Sequence, residues 1–322
     1  MEDFNVKVDT IRVPDPGATL GPGANPRNAI RHELTKLAQR CVDLLTRRTE
    51  SPLTDTAVHE IRTSIKRMRA LLRLIRSDIG ATRYEQAKRP LQAASRSLAS
   101  VRDAKVVLTA CHHLLHRDPI DGAVYCRPLR KNLRATREKM SPRQRRAIAA
   151  TLVTVRKSVA NWPESQAAWK VLSYGLRHEY ADARAAFESA RLGRKDAHLH
   201  ELRKRSKSLF YMCDFLATLS PYAGRKARKL ERFAACLGDF HDLSIVRHNL
   251  PSRRIQRLAH RKQAALRRSA SVLGARIFSH SPATFIRRTH REWKKRYRRR
   301  DNSFGRYVEI GAAHRNNIVS IL

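Results

Sequence analysis

Apolar side chains recur every three or four residues along almost the whole of this 322-residue chain, a period that permits helices and little else. From Arg27 to about Arg48, Ile30, Leu34, Leu37, Cys41, Leu44 and Leu45 fall on one helical face. Asn25-Pro26 ahead of them supplies an N-cap and a first-turn proline. The pattern returns at about 55–79, 83–100, 102–117, 122–138, 142–160, 168–191, 197–219, 223–237, 241–249, 253–278 and 282–300. No stretch alternates with the period of two that a half-buried strand requires. The 12 glycines and 13 prolines sit mostly between these segments, so an all-α chain of antiparallel, bundled helices is expected. Residues 1–26, with Pro14, Pro16, Gly17, Gly21, Pro22 and Gly23, read as a flexible N-terminal arm, and 302–322 as a C-terminal tail around a helical domain at 27–301.

The domain repeats itself. His59-Glu60-Ile61-Arg62 with Lys66 and Met68 returns as His200-Glu201-Leu202-Arg203 with Lys207 and Leu209, and Leu98-Ala99-Ser100-Val101-Arg102-Asp103 as Leu237-Gly238-Asp239-Phe240-His241-Asp242. Two matches in the same order at nearly equal spacing imply two related halves, 27–167 and 168–301. Two related halves invite a pseudo-two-fold arrangement in which equivalent faces meet, with a ligand site between them.

Charge narrows the partner. The chain carries 67 Lys+Arg against 28 Asp+Glu, a net charge of +39, with roughly three arginines to each lysine. Such an imbalance repels itself unless an anion neutralises it, and the guanidinium fork matches phosphate oxygens in pairs. The 42% hydrophobic content excludes a disordered basic tail. Five dispersed cysteines without a CxxC suggest neither a disulfide framework nor a zinc site, and read as small core residues in a reducing compartment. The N-terminus has no apolar signal core, and no run reaches the roughly 18 apolar residues of a membrane span, so a soluble intracellular protein is expected.

On the segment 55–79, Val58, Ile61, Ile65, Met68, Leu72 and Ile75 define the buried face. Arg62, Lys66, Arg69, Arg73 and Arg76 each follow a core position by one residue, about 100° around the helix, and form a basic stripe about 21 Å long. That length suits several linked phosphates rather than one. In the second half His200, Arg203, Lys204 and Lys207 repeat the device. Lys170, Arg177, Arg184 and Arg191, at seven-residue steps, share a face of the preceding helix. His59 and His200 stand one turn before their arginines, where a ring N–H can donate to a phosphate oxygen, although a histidine packed at a helix start fits as well.

Asp103 and Asp242 are placed by the pattern at helix starts, where a carboxylate caps N–H groups or pairs with an arginine. Cys111, His112, His113 and His116 form the one local metal-like cluster, a weak signal, and neither a metal nor a cofactor is expected. No GxxxxGK[ST], GxGxxG or GxSxG motif occurs, so the reading is a non-enzyme.

These residues resemble the CHAD family, the conserved histidine α-helical domain. The resemblance rests on Val58-His59-Glu60-Ile61-Arg62 through Ile65-Lys66-Arg67-Met68-Arg69, on Leu199-His200-Glu201-Leu202-Arg203 through Lys207, and on the segments ending in Asp103 and Asp242, across about 27–301. It implies two four-helix bundles in pseudo-two-fold relation, a basic channel that binds inorganic polyphosphate, and a place at polyphosphate granules. The implied site residues are His59, Arg62, Lys66 and Arg69 in the first half and His200, Arg203 and Lys207 in the second. The second half departs from the pattern at Ser206, Ser208 and Phe210, which puts equal contribution from the halves in question. Some members are fused to a triphosphate-hydrolysing CYTH domain, whose acidic motif is absent here, so the chain is similar to the stand-alone type.

The competing expectation is non-specific RNA or DNA binding, which the charge supports equally. Against it stand a 6% aromatic content and tryptophans and tyrosines that are dispersed in sequence rather than grouped as a base-stacking platform. The run Lys294 to Arg300 reads either as a basic helix end or as a nuclear signal, so the cytoplasm is expected with the nucleus or nucleolus left open.

Overall fold

The computed structural model describes residues 25–47, 52–115, 119–138, 140–163, 169–193, 195–250 and 252–295, with backbone alone at 100–103, 119–123 and 136–138. The described residues are helical almost throughout. They form α1 (Pro26–Thr46), α2 (Asp55–Leu74), α3 (Arg76–Ser97), α4 (Ala99–Leu114), α5 (Pro119–Glu138), α6 (Pro142–Ala160), α7 (Trp169–Leu192), α8 (Asp196–Phe215), α9 (Pro221–Asn249), α10 (Arg253–Ile277) and α11 (282–295).

Local chemistry sets the starts. The Asn25 side chain accepts from the Arg27 N–H at 2.9 Å, Thr54 from Ala57 at 3.2 Å, and Ser141 closes a reciprocal capping box with Gln144. Prolines stand in the first turns of α1, α6 and α9, where the missing N–H costs nothing. Two boundaries differ from the sequence reading. The expected helix 55–79 gives way at Ile75, and Gly80, at φ 78°, breaks the next helix early in its course. Conversely, 223–237 and 241–249 join into the single helix α9, because Gly238 stays helical there.

In the first half α1, α2, α3 and α6 pack as a four-helix bundle, and in the second α7 packs on α8, α8 on α9 and α9 on α10. The expected face of α2 is buried throughout, from Val58 to Ile75. α11 is held to α7 by Phe285, stacked on Tyr180 with ring centroids 4.2 Å apart. One continuous apolar core runs through both halves. The α4–α5 hairpin stands apart from it and packs on α9 and α10 around a smaller core that includes Leu108, Cys111, Cys126, Leu133, Val246 and Ile255.

The halves meet where α2 crosses α8. Arg67 of α2 reaches Asp214 at 3.6 Å, and Arg73, six residues on, donates to Ser208 at 2.9 Å. Later residues of α2 thus meet earlier residues of α8, so the helices cross antiparallel near Ala70 and Tyr211. α2 opens at Asp55 and α8 at Asp196, 141 residues later, the spacing of the sequence repeat.

Candidate anion-binding site

The α2 stripe lies along the seam with α3. At one end the Arg62 guanidinium donates to the Ser95 carbonyl at 3.1 Å. Arg76 is not on this helix as expected: it opens α3 beyond the break at Ile75, exposed and 4.9 Å from the centroid of Tyr84, whose ring also receives the Lys88 ammonium at 5.3 Å. Arg62 meets Ser95 while Arg69, later on α2, interacts with Tyr84, earlier on α3, so α3 runs antiparallel beside the stripe. Lys66 and Arg69 are half-buried between the ends. Burial holds Arg69 below the ordinary arginine range, and the nearby charges of Arg73 and Arg96 push it the same way. Its Nε has no hydrogen-bond partner among the described residues. His59 is exposed at the head of the stripe.

Arg73 departs from this set. Besides Ser208, it faces the buried carboxylate of Glu179 at 3.9 Å, so it joins α2 to both α7 and α8. Burial pushes the Glu179 carboxyl up, with Arg73 the largest opposing influence. Arg73 is therefore already committed to the contact between halves.

The second half is built differently. Arg203 and Lys207 of α8 are half-buried against α9. Burial lowers Lys207, Arg203 lowers it further, and Glu231 of α9 opposes both. Asp239, also on α9, is raised first by burial and then by Asp242, against Lys262, His113 and Arg203. Where α3 presents Arg96 to the first stripe, α9 presents carboxylates to the second. Lys204 is exposed and paired with Glu201 at 2.7 Å. His200 stands 4.8 Å from the ring of His241, at an open recess of about 240 Å³ that also includes Asp196 and Ser244. Arg177 and Arg184 are exposed on α7.

Lys88 and Arg96 were not legible as site residues, because α3 carries no stripe of its own and they matter only once it lies antiparallel on α2. Several other expectations change. Asp242 lies in the interior of α9 and Asp103 within α4, so neither begins a helix and the capping reading fails; the Asp103 side chain lies outside the described residues. Cys111 and Cys126, distant in sequence, bring their thiols to 3.6 Å in the smaller core. Trp169, His290 and Trp293, likewise dispersed, group together, with Trp169 stacked on His290 at 4.7 Å. Trp169 is largely buried in that group, which leaves little ring face for a base. Among the described residues no three His, Cys, Asp or Glu side chains converge as a metal site, and no helix is long and apolar enough to cross a membrane. Residues 296–300 of the basic run lie outside the described residues.

A family model, the CHAD domain, matches residues 36–251, from α1 to the end of α9. In fold the chain is similar to the crystal structure of the CHAD domain from the plant Ricinus communis, with a TM-score of 0.53 and 16% identity over 78% of this chain and 90% of that one. No curated protein matches the sequence.

Proposed function

This chain belongs to the CHAD domain family, and from that premise we propose that it binds inorganic polyphosphate without transforming it, principally along the α2–α3 seam of the first half. The observation that carries the reading is the line of Arg62, Lys66 and Arg69, joined by Arg96, in which α3 sets a further cation rather than an acid against the stripe. Arg69 is already burdened by burial and by like charges, so an anion laid along the seam relieves repulsion that the fold leaves in place. A linear polymer fits better than a single phosphoryl group, because Arg62, Lys66 and Arg69 are set along about 10 Å of α2 and the entropy of capture is lost once for several contacts. Glu85 pairs with Lys88 at 2.7 Å, which marks the Tyr84 end as the less attractive one. The second half contributes less, since Glu231 and Asp239 partly satisfy Arg203 and Lys207 internally. Attraction to the polymer would also carry the protein to polyphosphate granules.

The test compares charge-matched variants. Replacing Arg62, Lys66 and Arg69 with alanine should weaken binding of long-chain polyphosphate far more than replacing exposed Arg143, Arg146 and Lys157 of α6. Each ordered charge-assisted bond is worth about 1.5–3 kcal/mol, against about 0–1 kcal/mol for an exposed contact. Titrations run against competing RNA at physiological salt separate the polymer from general polyanion attraction. The same samples, supplied with a divalent metal and resolved by gel, should keep their chain length. Equal losses in both triples would reduce the seam to part of a diffuse basic surface.

A further inference from the structure

A second cationic recess lies where the end of α9 meets the start of α10, away from the α2–α3 seam. It is a shallow, open depression of about 340 Å³ lined by Arg247, Gln256, Arg257, His260 and Arg261. Arg247 is oriented with unusual care for a side chain near a helix end. Its Nε donates to Gln256 Oε1 at 3.2 Å and its Nη1 to Gln263 Oε1 at 2.9 Å. The two amides are themselves fixed: Gln256 donates to the carbonyls of Arg247 and Leu250, and buried Gln263 donates to the Phe240 carbonyl and to Ser244 Oγ. Both glutamines therefore aim oxygen at the guanidinium, and they hold it without neutralising it. A carboxylate in either place would have oriented Arg247 and cancelled its charge.

The facing helix adds to the imbalance. α10 contains no Asp or Glu, and Arg257 and Arg261, both exposed, stand one turn apart, about 6 Å along the axis, with His260 beside them. Three guanidiniums on two packed helices can address neighbouring phosphoryl groups from different sides, two oxygens at a time. A nucleic-acid backbone or a membrane surface would call for a longer array of cations than the three guanidiniums here.

We propose that the α9–α10 recess is a discrete binding site for a compact condensed phosphate, of the diphosphate or triphosphate class, positioned by Arg247, Arg257 and Arg261. This proposal is independent of long-chain binding at the α2–α3 seam. Calorimetric titration with inorganic triphosphate tests it. The native protein should give saturable binding that weakens at least tenfold in the Arg257→Gln, Arg261→Gln double variant and by less than twofold in the Arg143→Gln, Arg146→Gln double variant, which loses the same charge from exposed α6 positions. Gln256→Leu alters no charge and removes one of the two acceptors that orient Arg247, and it should weaken binding several-fold while the thermal melt confirms folding. Absence of saturable binding, equal losses in the two double variants, or an unchanged affinity in a folded Gln256→Leu protein would each overturn the proposal.

Discussion

Lys226 buries its ammonium group in a protein that already holds a net charge of +39. Its Nζ donates to the Ile277 carbonyl and lies 6.0 Å from the Tyr180 ring, contacts that serve the charge only in part. Burial lowers its pKa to about 8, with Lys229 and Arg288 adding to the effect. Because the folded value lies below the ordinary lysine value of 10.5, the unfolded chain binds more protons between about pH 8 and 10.5, and this residue makes stability rise with pH in that window. Below pH 8 it costs on the order of 3 kcal/mol relative to a neutral side chain. Lys226→Met should therefore raise the melting temperature at pH 7 and gain less than the native protein between pH 7 and 9.5. A native-like gain in the variant would assign the pH response to the overall charge instead.

Between helices, one close approach in the contact of the two halves depends on an absent side chain. At Gly175 of α7, a Cβ would fall 2.2 Å from the Leu74 carbonyl oxygen at the end of α2. That oxygen belongs to backbone and cannot rotate away, so Gly175→Ala must part α7 from α2, with a loss of at least about 1–3 kcal/mol in urea unfolding. An unchanged denaturation midpoint would mean that the halves do not press together there. Gly175 illustrates what the sequence did and did not make legible. The position of α1 followed from Asn25-Pro26 and those of α2 and α6 from apolar periodicity, since caps and periodicity are local chemistry. The join within α9 was missed because a glycine inside a helix resembles a break until the neighbouring helix is in place. In the site, Arg62, Lys66 and Arg69 could be read from their spacing alone. The diversion of Arg73 to Glu179, the role of Arg96 on α3 and the carboxylates that α9 sets against Arg203 and Lys207 all depend on how distant helices pack, which spacing does not encode.

Over the molecule as a whole, the imbalance of charge should be visible in solution. Self-repulsion falls as salt shortens the screening distance from about 30 Å at 0.01 M to about 8 Å at 0.15 M, so the melting temperature should rise across that range. Polyphosphate should raise it further at equal ionic strength, by about 2.7 kcal/mol of added stability at a hundredfold excess over its dissociation constant. If matched sodium chloride does as much, screening rather than a site accounts for the gain. The antiparallel crossing of α2 and α8 bears on which polymers suit such a surface. Read from N- to C-terminus, the two stripes point in opposite directions, so a ligand passing the crossing meets one helix head-first and the other tail-first. An inorganic phosphate chain has two equivalent ends and presents the same oxygens either way. A nucleic acid has a 5′ and a 3′ sense, and would offer its sugars and bases to the two halves in contrary order.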